Sequence, residues 1–170
     1  MFAIKPSMRS LAALIIVISI SITSFIIFRS PGLDPFPGRN VAFEEIDKGF
    51  YCGIDTRLNL TVTTLEEWDY LWNNIRNKTT SEPDLPVVDF TNEIVIAIFQ
   101  GTRATGGYET VVRRITETGA TYDVFIDEIH PGPSAVVTMA ITQPYHIVRA
   151  PVTVLGLSFQ FHYNIFNRTV

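Results

Sequence analysis

An α+β domain, its sheet mostly antiparallel and packed by one helix, is the fold class this sequence predicts, with an N-terminal transmembrane helix in front of it. Three observations carry the prediction. Residues 10–28 form an uncharged apolar run; Thr64 to Ile75 combines a helix-capping pattern with two tryptophans at helical spacing; and the rest is a succession of short, alternating, β-branched runs parted by Gly and Pro.

The elements follow in order. Residues 1–9 form a short tail with Lys5 and Arg9, and Ser10 to Phe28 is 19 residues long without a charge. At about 1.5 Å per residue that run spans roughly the hydrocarbon core of a bilayer. Its length, and the lack of a small-x-small cleavage site after Thr23 or Phe28, favour an uncleaved anchor over a removed signal peptide. With the basic residues ahead of the helix and the first acid only at Asp34, the N-terminus is expected in the cytoplasm and residues 41–170 outside it, as a single-pass protein of the cell membrane. Residues 29–40, rich in Pro and Gly, suit an extended tether.

Within the domain, VAFEEI and GFYCGI flank the turn-like pair Asp47-Lys48 and predict a short hairpin. Leu58–Val62 alternates as a half-buried strand. Thr64-Leu65-Glu66-Glu67 matches a capping box ahead of Leu65, Trp68, Leu71, Trp72 and Ile75, so both tryptophans fall on one stripe and are read as docking the helix on the sheet. Helix termination is expected near Asn77. EIVIAIF, residues 93–99, is an almost unbroken β-branched run and is expected as a central strand covered on both faces. A hairpin over Tyr108–Thr116 and Thr121–Ile129 turns at Gly119; Ala135–Ile141 and Tyr145–Val148 are expected to pair around Gln143-Pro144; and Val152–Tyr163 closes the chain as a strand.

Of 13 basic residues, three (Lys5, Arg9, Arg29) precede residue 30, whereas all 17 acids follow it, which leaves the outer part at net −7. Such a domain is poorly suited to nucleic acid or to anionic lipid. One cysteine, Cys52, excludes an intrachain disulfide framework. Sequons at Asn59, Asn77 and Asn167 are candidate glycosylation sites. No catalytic residue and no metal or cofactor site is expected. His130, His146 and His162 lack metal-ligand spacing, Ser134 lacks a nucleophile elbow, and Gly101, Gly106 and Gly107 match no phosphate loop.

What remains are two loops built on glycine, proline and aromatic residues. Arg103, Thr105, Gly106, Gly107 and Tyr108 form one candidate partner-binding loop, and Gln143, Pro144 and Tyr145 a neighbouring one. Two glycines let a backbone approach a partner closely, and an exposed tyrosine supplies contact area at low entropic cost. A bulge, with Tyr108 filling the core beneath it, accounts for the same residues equally well.

At VDFTNEIVIAIFQGTRATGGYE the chain resembles the PrcB C-terminal domain family, and the resemblance continues through PGPSAVVTMAITQPYHIVRAP, with the family core over about residues 86–151. Ala104 stands where members commonly have proline. The family takes its name from a subunit of a bacterial surface protease complex, and the resemblance implies an accessory role in assembly or stability without peptide-bond cleavage. The expected function is therefore a membrane-anchored extracytoplasmic binding or accessory module, not an enzyme, whose partner is a protease or envelope protein. Two alternatives stand beside it: a protease inhibitor using the T-G-G-Y turn, by analogy with chagasin-type loops, and a hydrolase pairing Cys52 with His130 or His146.

Overall fold

The expected central strand does occupy the centre. The computed structural model describes residues 38–76, 84–154 and 156–168; the expected anchor at 10–28, residues 1–9, most of the linker and Asn77 lie outside them. Among the described residues no helix is long and apolar enough to cross a membrane. The elements are β1 (Arg39–Val41), β2 (Glu44–Gly49), β3 (Leu58–Val62), α1 (Leu65–Arg76), β4 (Glu93–Phe99), β5 (Glu109–Thr118), β6 (Thr121–Pro131), β7 (Tyr145–Pro151) and β8 (Ser158–Arg168).

They form two four-stranded sheets, ordered β1-β5-β6-β8 and β2-β7-β4-β3. Alternation along β4 divides its side chains between two cores. Ile94, Ile96 and Ile98 join Val112, Ile115, Tyr122, Val124, Ile126 and Val148 between the sheets. Val95, Ala97 and Phe99 face the opposite way and meet Trp68, Leu71, Trp72 and Ile75 of the helix, with Tyr145 and Ile147. The result is three layers, sheet on sheet on helix, and the unbroken β-branched run of β4 reflects burial on both faces.

The helix start keeps its capping logic with one change. Thr64 Oγ1 accepts the Glu67 N–H at 3.2 Å, but the Glu67 carboxylate takes the N–H of Thr63 at 3.0 Å, one residue before the cap. That backbone bond holds the exposed Glu67 carboxyl below its ordinary value. Trp68 is fully buried, and its indole N–H donates to the Pro86 carbonyl at 2.9 Å. The turn between β5 and β6 is Gly119-Ala120, with Gly119 left-handed at φ +61°.

Four expectations are corrected. Asp47-Lys48 makes no turn: β2 runs through both residues and pairs with β7, bulging between Glu45 and Asp47. Tertiary partners override local preference there, since Asp47 accepts from Tyr145 Oη at 2.7 Å and from Arg76, and Lys48 pairs with Glu109 at 2.6 Å. Residues 135–141 form no strand, and β7 instead lies between β2 and β4. The last strand begins at Ser158 and ends at Arg168, and it runs parallel to β6, the sheet's single parallel pairing among the described residues. At the N-terminal side, Arg39 and Asn40 belong to a strand against β5, with an Arg39–Glu117 ion pair.

Candidate docking surface

Gly101 leaves β4 in a left-handed conformation, φ +76°, and the chain then passes over Thr102–Gly107 to enter β5. Facing it is an irregular strap, residues 132–143, between β6 and β7. Backbone bonds tie the two together. The Arg103 N–H donates to the Thr142 carbonyl at 2.7 Å, the Thr142 N–H returns to the Arg103 carbonyl at 3.0 Å, and the Gly106 N–H reaches the Thr138 carbonyl at 2.9 Å. Thr142 Oγ1 adds a bond to the Thr105 carbonyl at 2.9 Å.

These contacts explain the paired glycines. A β-carbon on Gly106 would overlap Thr138 Oγ1, and one on Gly107 would lie 2.8 Å from Val137 Cγ1 and 3.1 Å from Pro131 Cβ. Gly107 also holds φ +87°, where L side chains are strained. So the glycines let the strap close against the loop, and Gly106 is buried beneath it. Tyr108 is half-buried, its ring 5.2 Å from that of His130 and 5.1 Å under the Arg103 guanidinium.

Below the loop lies an ionic pair. Glu128 is buried, and Arg57 clasps it through both nitrogens, 2.7 Å to Oε1 and 3.1 Å to Oε2, with His130 Nε2 at 3.6 Å. The Arg57 guanidinium also stacks 4.3 Å above the Tyr163 ring.

The second predicted loop is corrected. Gln143, Pro144 and Tyr145 are buried and present no surface. Gln143 Nε2 donates to Asp55 Oδ1 at 3.1 Å, the Pro144 carbonyl accepts from the Gln100 N–H at 2.9 Å, and Tyr145 stacks on Phe99. Burial, reinforced by its bond to Asp47, drives the Tyr145 phenol well above its ordinary pKa. What the strap does display is apolar: Val136 is 99% exposed, Met139 89% and Ile141 63%. No charged residue occurs from Gly132 to Gln143. Phe50 and Tyr51, also exposed, adjoin the strap through the Gln143 N–H bond to the Phe50 carbonyl at 2.7 Å. Sequence reasoning missed these residues because their alternation matches a strand; the flanking Pro131-Gly132-Pro133 was the signal against it.

The remaining candidates separate. Cys52, on the irregular segment after β2, is buried in the helix-side core, where its thiol meets the Ile54 and Gln143 carbonyls at 3.8 and 3.7 Å. His146 points to the other face, its Nδ1 accepting the Val112 N–H at 2.8 Å and its Nε2 lying 2.9 Å from Glu45. A Cys52–His146 pair is therefore not formed. Burial depresses the His146 pKa; Glu45 pulls the other way, but protonating Nδ1 would break its backbone bond, so the neutral imidazole fits the site. The Asn59 side chain accepts from Tyr163 Oη at 2.7 Å and is half-buried, a poor glycan acceptor in the folded domain, whereas Asn167 is exposed. Among the described residues no group of three or more His, Cys, Asp or Glu is placed to hold a metal.

No curated protein and no solved structure matches the chain significantly. Residues 94–151, which run from β4 through the strap to the end of β7, match the PrcB C-terminal family model, the family this sequence resembles.

Proposed function

We propose that the domain is a non-catalytic accessory module, held on the outer side of the membrane by the segment at 10–28, that docks a protein partner through the strap. The observation that carries this reading is the display of Val136, Met139 and Ile141 on a segment with no charge, held in place by backbone bonds to the loop at 103–106 where two glycines allow close approach. Isolated exposed apolar residues are ordinary, but three of them within six residues of an irregular, well-anchored and uncharged segment suit a protein contact. The PrcB C-terminal match over residues 94–151 supports an accessory place beside a protease complex, since the matched span contains both the strap and the glycine loop that holds it. The partner surface is expected to be apolar and uncharged. An inhibitor role for the T-G-G-Y turn is disfavoured, because Gly106 is buried and Tyr108 is flanked by Arg103 and His130 instead of projecting.

The test is photo-crosslinking in intact cells, with the reactive group placed in turn at Val136, Met139 and Ile141, and at Asn73 on the exposed side of α1 as control. A discrete adduct from the strap positions, absent from Asn73 and lost on Val136→Ser/Met139→Ser/Ile141→Ser outside the labelled position, is the expected result. Identical adduct patterns at strap and control positions would refute the assignment.

A further inference from the structure

Among the described residues, the four outer edges of the two sheets are not equally defended. β1 is only three residues long; β2 is bulged and carries Glu44, Glu45, Asp47 and Lys48; β3 has five residues. β8 is different. It runs eleven residues, pairs with β6 from Ser158 to Arg168 without a register shift, contains no proline or lysine, and bears its one formal charge at the last residue, Arg168. Natural sheets protect a long edge by bulges, prolines, inward charges or shortness, because every second residue turns an unpaired N–H and C=O outward. β8 uses none of these. Its second half is exposed, including Ile165 at 60% and Phe166 at 51%.

We infer that β8 is a self-association edge: two copies of this chain pair β8 against β8 antiparallel about a two-fold axis at Tyr163, which joins two four-stranded sheets into one of eight strands. The sequence of the strand is what selects a second copy as occupant. Antiparallel pairing centred on Tyr163 uses the full length and sets Phe161 opposite Ile165, Gln160 opposite Phe166, His162 opposite Asn164 and Ser158 opposite Arg168. No charge meets its like, and the half-buried Phe161 gains the exposed Ile165 as a cross-strand neighbour on the core side. Such a contact is isologous and closes after two copies, so it yields dimers and not fibres. The strand lies outside both the strap and the family match at 94–151, so this inference stands or falls apart from the proposed docking role.

Two experiments on the full chain in mild detergent test it. Light scattering coupled to size exclusion should give dimer mass for the wild type across a dilution series and monomer mass for Ile165→Lys/Phe166→Lys, whose positions are exposed in the single chain. Mixing the Gln160→Cys chain with the Phe166→Cys chain under oxidation should give a crosslinked heterodimer, whereas Gln160→Cys mixed with Asn73→Cys should not. A monomeric wild type, a dimer indifferent to the lysines, or no selective crosslink would overturn the assignment. The crosslink decides the matter if the lysine variant misfolds.

Discussion

Replacing Gly107 by alanine, with Gly119→Ala as its partner measurement, separates what the loop contributes from what any left-handed glycine contributes. Both residues have positive φ, +87° and +61°, so each alanine variant bears the same kind of backbone strain. That strain is about 1–2 kcal/mol, and alanine regains about 0.4–1 kcal/mol by restricting the unfolded chain. For Gly119, where a β-carbon meets nothing within 4 Å, the net loss should be about 1 kcal/mol. At Gly107 the new methyl lies 2.8 Å from Val137 Cγ1 and 3.1 Å from Pro131 Cβ. Overpacking of that kind adds about 1–3 kcal/mol. If the strap lifts to relieve it, the Gly106–Thr138 bond at 2.9 Å is lost instead, about 1 kcal/mol.

Thermal unfolding followed by tryptophan fluorescence is the assay, since Trp68 and Trp72 are both buried on α1. At about 4 °C per kcal/mol, the Gly107 variant should melt roughly 4–12 °C below the Gly119 variant. A Val137→Ala change made together with Gly107→Ala should recover part of that difference, because it removes the nearest obstructing methyl. Equal melting temperatures for the two glycine variants, or no rescue by Val137→Ala, would refute the view that the strap closes on Gly107.

Two further predictions concern buried polar groups. Folded His146 has a lowered pKa, chiefly through burial, so below about pH 6.5 the unfolded chain binds a proton that the folded one refuses. Stability should therefore fall as pH drops through that value and level off once the folded imidazole protonates, and His146→Gln should flatten this part of a stability-versus-pH curve. Arg57→Met strips the buried Glu128 of its ion-pair partner and should cost about 2–4 kcal/mol in chemical denaturation, less than for a fully buried pair because Arg57 is itself part-exposed. Adding Glu128→Met should restore most of the loss, and a double variant as unstable as the two single losses summed would count against the pairing.

Much of this fold was legible wherever one local pattern decided it. The helix at Leu65–Arg76 followed from its cap and its three-four spacing, and β4 from a β-branched run that only two covered faces explain. The Gly119 hairpin followed from alternation on either side of a residue free to take positive φ. Failures came where partners distant in sequence decide. Asp47-Lys48 has turn propensity, yet Tyr145, Arg76 and Glu109, all remote in the chain, hold it within a strand. The direction of β8 was likewise beyond period-two reasoning, which says that a strand exists but not which neighbour it takes or in which sense.

The candidate docking surface shows the same division in a sharper form. Glycines and aromatics such as those at 106–108 and 143–145 suit exposed recognition loops when each loop stands alone. In the folded chain the two segments are brought together through the strap: Thr142 bonds Arg103 and Thr105, Thr138 bonds Gly106, and Gln143 turns inward to Asp55. Residues suited to close approach were consumed by approach to their own chain. Exposure then fell to Val136, Met139 and Ile141, because the strap's backbone bonds to the loop fix its path while leaving these side chains without a neighbouring sheet to cover them. An apolar alternation that no strand absorbs is left facing solvent, and a second molecule is the simplest physical way to cover it.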